Sequence, residues 1–261
     1  MSLHVVRAVG LCTVQDLGRR GHMHEAVPPG GALVPELLAI ANRTANNPDP
    51  APAIEVLGQL VVRAATDVLV AVDGVPRLLR AGEELTVSSG GRRCAYLAVR
   101  GGIATPRVLD GHGTLLCAEL GAPLRAPESL AIGAAPETHA TPPAFTDGTE
   151  IHVIAGPDHD AFAAGGLALL TSAPYRILPS SDRVGTRLAG AVIPRAPAYR
   201  DASRPMVRGA IEVPRDGQPI VLGPEHPTTG GYPIIAVIAS ADLGRFFSIA
   251  LGKAMRFIAS R

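Results

Sequence analysis

Hydrophobic and polar residues along this 261-residue chain mostly alternate in short runs with a period of two, the signature of half-buried strands. In the first half that pattern predicts strands over Leu3–Val9, Ala53–Leu57, Gln59–Ala64, Asp67–Val72, Glu84–Val87 and Cys94–Val99. Asp73-Gly74 reads as a hairpin turn. In the second half it predicts strands over Glu150–Ala155, Tyr175–Leu178, Gly209–Val213, Pro219–Leu222, Ile234–Ala239 and Met255–Ala259. A helical period is rarer. Pro35–Ala45 opens on Pro at a first helical position, sets Leu37, Leu38, Ile40 and Ala41 on one side, and ends at NNPDP. A second helix is expected to run to Leu170, capped by Asp158 or Asp160. A third starts at Ser240 as N-cap, with Asp242 in its first turn.

Between these runs lie polar, glycine-rich segments: Thr13–Gly21, Val27–Gly31, the DGHGT turn within Leu109–Leu116, Ser180–Gly190 and an irregular stretch from Ile193 to Pro205. Gly133–Gly148 has no periodicity and is the expected boundary, which gives domains over 1–140 and 141–261 with room for the chain to cross between them. About a dozen short strands with three helices predict a mainly β protein of two antiparallel barrels or sandwiches.

Composition narrows the function. With 29 Gly and 24 Pro, short strands and tight turns are favoured over long helices. A net charge of +1 and 3% aromatic residues offer neither an electrostatic footprint for nucleic acid or an anionic membrane nor a base-stacking platform. Three well-separated cysteines (Cys12, Cys94, Cys117) form no metal or redox spacing, and with no leader pattern in MSLHVVRAVG they suggest a reducing cytoplasm. Lys253 is the sole lysine, so Schiff-base and phosphate-gripping lysine chemistry has no other carrier. There is no phosphate loop, no GxGxxG after a strand, no HExxH and no CxxC pair, so no metal or cofactor is expected on this chain itself.

Three polar clusters combine carboxylate, arginine or hydroxyls with glycine: TVQDLGRRG, SSDRVGTR and PEHPTTGGYP. In the last, Thr228, Thr229 and the Gly230-Gly231 backbone can offer several donors to one oxyanion. Arg183 can clamp a carboxylate in two-pronged fashion. Glu225 or His226 can move protons, and Tyr232 can donate from its phenol. The competing reading is that Thr and Gly build a tight turn while Asp182 and Arg183 pair internally. Likewise Asp16 and Arg19 either satisfy their own loop or bind a ligand, and His112 between glycines is either a base or an exposed turn residue. Glu55, inside the AIEVL strand, either faces outward or is paired.

At these clusters the chain resembles the carboxyltransferase-related family first called allophanate hydrolase subunit 2. That family includes the C subunit of bacterial ATP-dependent 5-oxoprolinase, the KipA antagonist of a kinase inhibitor and part of the urea carboxylase carboxyltransferase domain. The matching runs are TVQDLGR (Thr13–Arg19), SDRVGTRLAG (Ser181–Gly190), GAIEVPRDGQPIVL (Gly209–Leu222) and TTGGYPIIAVIASADL (Thr228–Leu243). Where the family often reads SGAMD, SRST and ADRQ, this chain carries GGALV (Gly30–Val34), GHGT (Gly111–Thr114) and PEHP (Pro224–Pro227).

The resemblance implies two cyclophilin-like β-barrel subdomains with a few short helices, and a subunit 1 (KipI-like) partner in a heteromer. It implies a hydrolase subunit acting on a small amide or lactam, with ATP consumed at the level of the complex. It carries roles to Asp16, Arg19, Arg183, Thr228, Thr229 and Tyr232, which match the family pattern; with the residue readings above, the catalytic candidates are Arg183, Thr228, Thr229, Tyr232 and Glu225, and the substrate-binding candidates Asp16, Arg19, Asp182 and His112. The alternatives it carries are a urea carboxylase-like component served by biotin on a partner, and a non-catalytic KipA-like regulator.

Overall fold

Asp73 and Gly74 both take the left-handed backbone (φ 46° and 89°) and join Val68–Val72 to Val75–Leu79 as a two-residue hairpin. That is the turn chemistry Asp-Gly favours, because both central residues need positive φ. The computed structural model describes residues 1–196 and 202–260. The chain forms two compact units: Met1–Gly21 with Pro29–Phe145, and His22–Pro28 with Thr146 onward.

The first unit holds β1 (Ser2–Gln15), α1 (Pro35–Thr44), β2 (Ala53–Ala64), β3 (Val68–Val72), β4 (Val75–Leu79), β5 (Glu84–Ser88), β6 (Ala95–Val99) and β7 (Glu128–Ala131). Its seven-stranded sheet runs β4-β3-β6-β2-β1-β7, with β5 also pairing β2. Alternate residues of β1 and β2, among them Leu3, Val14, Ile54 and Leu60, enter one buried core. Helix α1 begins on Pro35, as the sequence predicts, and buries Leu37, Leu38 and Ala41. Asn42 then satisfies the turn beyond it, donating to the carbonyls of Asp49 (3.0 Å) and Ala51 (2.8 Å).

The sequence pattern places a break at Gly58, yet β2 runs straight through it. The cause lies on the neighbouring strand: Gly58 faces Gly10 of β1 in register, and both have positive φ. A Cβ on Gly10 would sit 2.3 Å from the Leu57 carbonyl oxygen, and one on Gly58 would sit 2.3 Å from that of Val9. The facing pair lets two long strands depart from regular geometry at one point without losing their register. Two further differences have the same origin in pairing. Thr13–Gln15 is strand rather than loop because it continues against Ala53–Glu55, and β4, unforeseen, is an exposed edge strand recruited by its hairpin.

The second unit holds β8 (Glu150–Ala155), α2 (Gly166–Ser172), β9 (Tyr175–Ile177), β10 (Gly185–Ala189), β11 (Arg204–Pro205), β12 (Ala210–Glu212), β13 (Ile220–Leu222), β14 (Thr229–Gly230), β15 (Ile234–Ile238), α3 (Leu243–Ser248) and β16 (Ala254–Ala259). Seven of its strands close a barrel in the order β10-β13-β12-β15-β8-β16-β9, while β11 and β14 form a separate two-stranded ribbon. Closure removes the exposed edges that such short strands would otherwise present. Tyr175, Phe246 and Phe257 are fully buried, with Phe246 and Phe257 stacked at 6.4 Å between ring centroids. The mainly β fold follows the expectation, with three short α-helices among the described residues. In the irregular stretch expected over Ile193–Pro205, residues 197–201 lie outside the described residues. Part of the polar segment Ser180–Gly190 is the strand β10, paired with both β13 and β9.

Neither expected helix cap forms. The helix α2 starts at Gly166 behind Gly165, and no side chain caps α3. Asp242 instead accepts from the His152 backbone N–H at 2.7 Å. Among the described residues no helix is long and apolar enough to cross a membrane.

The glycine pair yields a stability test. Gly58→Ala is expected to cost about 1–3 kcal/mol through backbone strain and the clash with Val9. Gly91→Ala, where a Cβ meets nothing within 4 Å, is expected to be near neutral. Urea unfolding of both variants checks this, and equal midpoints would contradict the close-approach account.

Candidate functional site

In the first unit the end of β1 delivers Asp16, which is 5% exposed. Its Oδ1 accepts the Gly18 N–H at 2.8 Å and its Oδ2 accepts the His112 N–H at 2.6 Å. Arg19, also buried, donates through Nε to the Val108 carbonyl (2.9 Å) and through Nη2 to that of Gly113 (2.7 Å). Asp16 and Arg19 therefore both hold the DGHGT backbone, and the structure brings Asp16, Arg19 and His112 together. The His112 ring meets the Thr105 carbonyl at 2.9 Å through Nδ1.

The glycines of GHGT follow from this closeness. A Cβ at Gly113 would lie 2.8 Å from Asp16 Oδ1, and one at Gly111 would lie 2.7 Å from Arg19 Cγ. Burial lowers the Arg19 pKa below its ordinary value, and the Asp16 charge partly restores it. Arg19 Nη1 is buried without an acceptor among the described residues. Arg19, His112 and Thr114 line a cavity of about 310 Å³ whose other walls include Val14, Leu120 and Leu130. That is the size of a small-molecule pocket, largely apolar with a few polar groups.

In the second unit Arg183 and Glu225, 2% and 4% exposed, form an ion pair, Nε to Oε1 at 2.6 Å. Two backbone contacts fix the same junction: Glu225 N–H donates to the Arg183 carbonyl (3.1 Å) and Gly223 N–H to that of Val184 (2.8 Å). Gly223 has to be glycine, since a Cβ there would lie 2.2 Å from the Arg183 oxygen. Asp182 builds the preceding turn, its Oδ1 accepting the N–H groups of Val184 and Gly185, both at 2.9 Å. His226 is 1% exposed, and its Nδ1 meets the Pro227 carbonyl at 2.8 Å. Burial, aided by the charge of Arg208, depresses its pKa.

Beyond this buried junction the chain surfaces. Thr228 is half-buried, whereas Thr229 and Tyr232 are exposed, Tyr232 by 45%. No neighbour lies within 4 Å of a Cβ at Gly231. The segment is held at two points. Within its first half, Thr229–Gly230 pairs with Arg204–Pro205; just after it, the Ile234 N–H donates to Asp158 Oδ2 at 2.9 Å. Asp158 also binds Arg204 at 2.6 Å, so one buried carboxylate secures both points. By local rules Asp158 is a helix cap; the loop it holds is 76 residues away, and no local signal announces that pairing.

A second residue that the sequence pattern does not single out is Glu212 on β12, 6% exposed. A Cβ on Gly230 would lie 3.0 Å from its Oε1, so the carboxyl abuts the TTGGYP backbone. Among the described residues nothing donates to it, and burial pushes its pKa up to about 7. The signal that finds it is a glutamate within an apolar strand. Glu55 gives the same signal, and it is fully buried and paired, accepting from the Leu33 N–H and the Tyr96 hydroxyl, both at 2.6 Å.

Other chemistries find little support. Cys12 and Cys94 are buried thiols whose pKa burial raises, Cys12 to about 11, which leaves them inert as nucleophiles. No group of three or more His, Cys, Asp or Glu among the described residues is placed to hold a metal ion.

Known proteins match the chain along nearly its whole length. A family model described as carboxyltransferase domain, subdomain A and B, matches residues 25–259. The chain is 33% identical to the 5-oxoprolinase C subunit of Escherichia coli (strain K12), over 98% of this chain and 90% of that one. It is 27% identical to urea amidolyase of Lachancea kluyveri, over 94% of this chain and 16% of that one. Among solved structures, TTHA0988 superposes with a TM-score of 0.85 at 26% identity, covering 98% of this chain; the chain spans 55% of that protein. The urea amidolyase of K. lactis superposes with a TM-score of 0.90 at 23% identity over 100% of this chain and 19% of that one, a likeness of fold.

The buried pair predicts a non-additive cycle. Arg183→Met strands the Glu225 carboxylate and is expected to cost about 3–5 kcal/mol, whereas adding Glu225→Leu recovers most of the loss. Urea unfolding of the four proteins reads the coupling, and strictly additive losses would contradict it.

Proposed function

The chain belongs to the carboxyltransferase domain family, subdomains A and B, and from that membership we propose that it is the C-type subunit of an ATP-dependent 5-oxoprolinase. In that role it opens a small lactam together with a subunit 1 (KipI-like) partner, with ATP consumed by the complex in a reducing, cytoplasmic setting. The observation that carries this reading is the match to a 5-oxoprolinase C subunit through nearly the full length of both chains, so that both units and all three polar clusters take part.

The exposed TTGGYP segment suits the chemistry. Attack on a lactam carbonyl places negative charge on its oxygen, and fixed donors there stabilise the transition state more than the ground state. Thr228, Thr229, the Gly230-Gly231 backbone and the Tyr232 phenol are the donors this chain offers. Arg183 and Glu225 fix the junction beneath them, Asp182 orders the adjoining turn, and Arg19 and His112 face a small ligand at the cavity of the first unit while Asp16 holds His112 in position. A second reading, a urea carboxylase-like component taking carboxylate from biotin on a partner, is favoured by the match to urea amidolyase.

The test is reconstitution with the partner subunits. The complex is expected to convert 5-oxoproline to glutamate only with ATP. Thr229→Ala is expected to lower kcat/KM by about 10²-fold with an unchanged melting temperature, since the side chain is exposed. A complex that carboxylates urea from carboxybiotin and opens no lactam would establish the second reading, and one that binds its partner without turnover would establish a KipA-like regulator.

A further inference from the structure

The tetrapeptide AIEV occurs twice, at Ala53–Val56 in the first unit and Ala210–Val213 in the second. Both copies lie on strands and both glutamates are buried. Their surroundings differ. Glu55 Oε2 receives a backbone N–H and a phenol, as a structural carboxylate should. Glu212 receives neither a hydrogen bond nor an ion pair among the described residues, although the residue is only 6% exposed.

The elements packed against Glu212 carry two charged groups, Asp158, which binds the Ile234 N–H, and Arg204, which pairs with Gly230, and these two form an ion pair with each other. Ile220 of β13 and Ile234 of β15 pair with Glu212 across the sheet, while Gly230 of β14 and Met206 close over it. A Cβ on Gly230 would lie 2.6 Å from Met206 Cε and 3.0 Å from Glu212 Oε1, so the TTGGYP backbone rests against this carboxyl and the Met206 methyl. The pairing of β12 with β15 shifts register between Ile211 and Glu212. Such irregularities re-aim a side chain and recur beside active sites.

We propose that Glu212 is the proton donor of the TTGGYP site, delivering its proton to the ring nitrogen that departs when the lactam opens. This rests on the lactam-opening function proposed above. As the C–N bond breaks, its electron pair passes to nitrogen and the Glu212 O–H proton is transferred to that nitrogen. Water forms the new C–O bond at the carbonyl carbon, and a proton it releases returns Glu212 to the acid form. A donor serves best when it still holds its proton near working pH. Burial gives Glu212 that property, with a pKa of about 7.

The decisive variant is Glu212→Gln, which keeps shape and loses the proton. In the reconstituted complex, wild-type kcat/KM for 5-oxoproline is expected to fall above pH 7. Glu212→Gln is expected to lose about 10²-fold and to lose that alkaline limb. A stability readout on the chain alone runs in parallel. The folded pKa lies above that of the unfolded chain, so rising pH strips the proton from the unfolded state first, and wild-type stability declines from about pH 4.5 to about 7. The melting temperature of Glu212→Gln should equal that of wild type at pH 4 and exceed it increasingly up to pH 7. A variant that keeps both rate and alkaline limb overturns the proposal while leaving the lactam function standing, even if the melting curves diverge, because a merely structural acid would show that divergence. A wild-type complex that opens no lactam overturns both.

Discussion

A carboxylate taken out of water is stabilised by donors, and in this protein many of those donors are backbone N–H groups distant in sequence. Asp16 takes the N–H groups of Gly18 and His112, Glu55 that of Leu33, Asp158 that of Ile234, and Asp182 those of Val184 and Gly185. Hydrogen bonds to a charged group contribute about 1.5–3 kcal/mol each, and leaving the charge bare costs more. The scaffold thus carries acids that are stable only when particular loops close on them. Through this requirement a mainly β fold specifies loop positions at the level of single hydrogen bonds.

Glycine is the other half of that arrangement. Where backbone must lie on a side chain or on another backbone, an added Cβ would collide: Gly113 against Asp16 and Gly223 against Arg183. The polar clusters are glycine-rich for this reason more than for turn formation. Once anchored, the TTGGYP segment can leave Thr229 and Tyr232 facing solvent without becoming loose, which is what a site built from fixed donors requires.

Much of the fold is legible in the chain. Period-two alternation locates most of the strands, Pro35 opens α1, and Asp73-Gly74 turns the β3–β4 hairpin. The misreadings share a cause. Gly58 reads as a break and Thr13–Gln15 as loop because each looks irregular in isolation, and each is made regular by the strand it faces. Asp158 and Ser240 satisfy local capping rules. Capping, however, competes with longer-range partners, and Asp158 is drawn to Arg204 and Ile234. Of the site, the clusters themselves are evident, as is the acid and arginine content of each. That Arg183 pairs with Glu225, 42 residues on, is not.

By itself the sequence determined the family, through motifs matched in order along the chain, and with it the mainly β architecture and the three polar clusters. It also placed a glutamate in each of the two AIEV segments. What it left open was the condition of those two acids. The Tyr96 hydroxyl that serves Glu55 lies 41 residues away, and the Gly230 backbone that covers Glu212 offers it no donor. A carboxyl's partners are fixed by what surrounds it in space, so identical tetrapeptides hold a hydrogen-bonded glutamate in one unit and one without a donor among the described residues in the other only when the chain has folded.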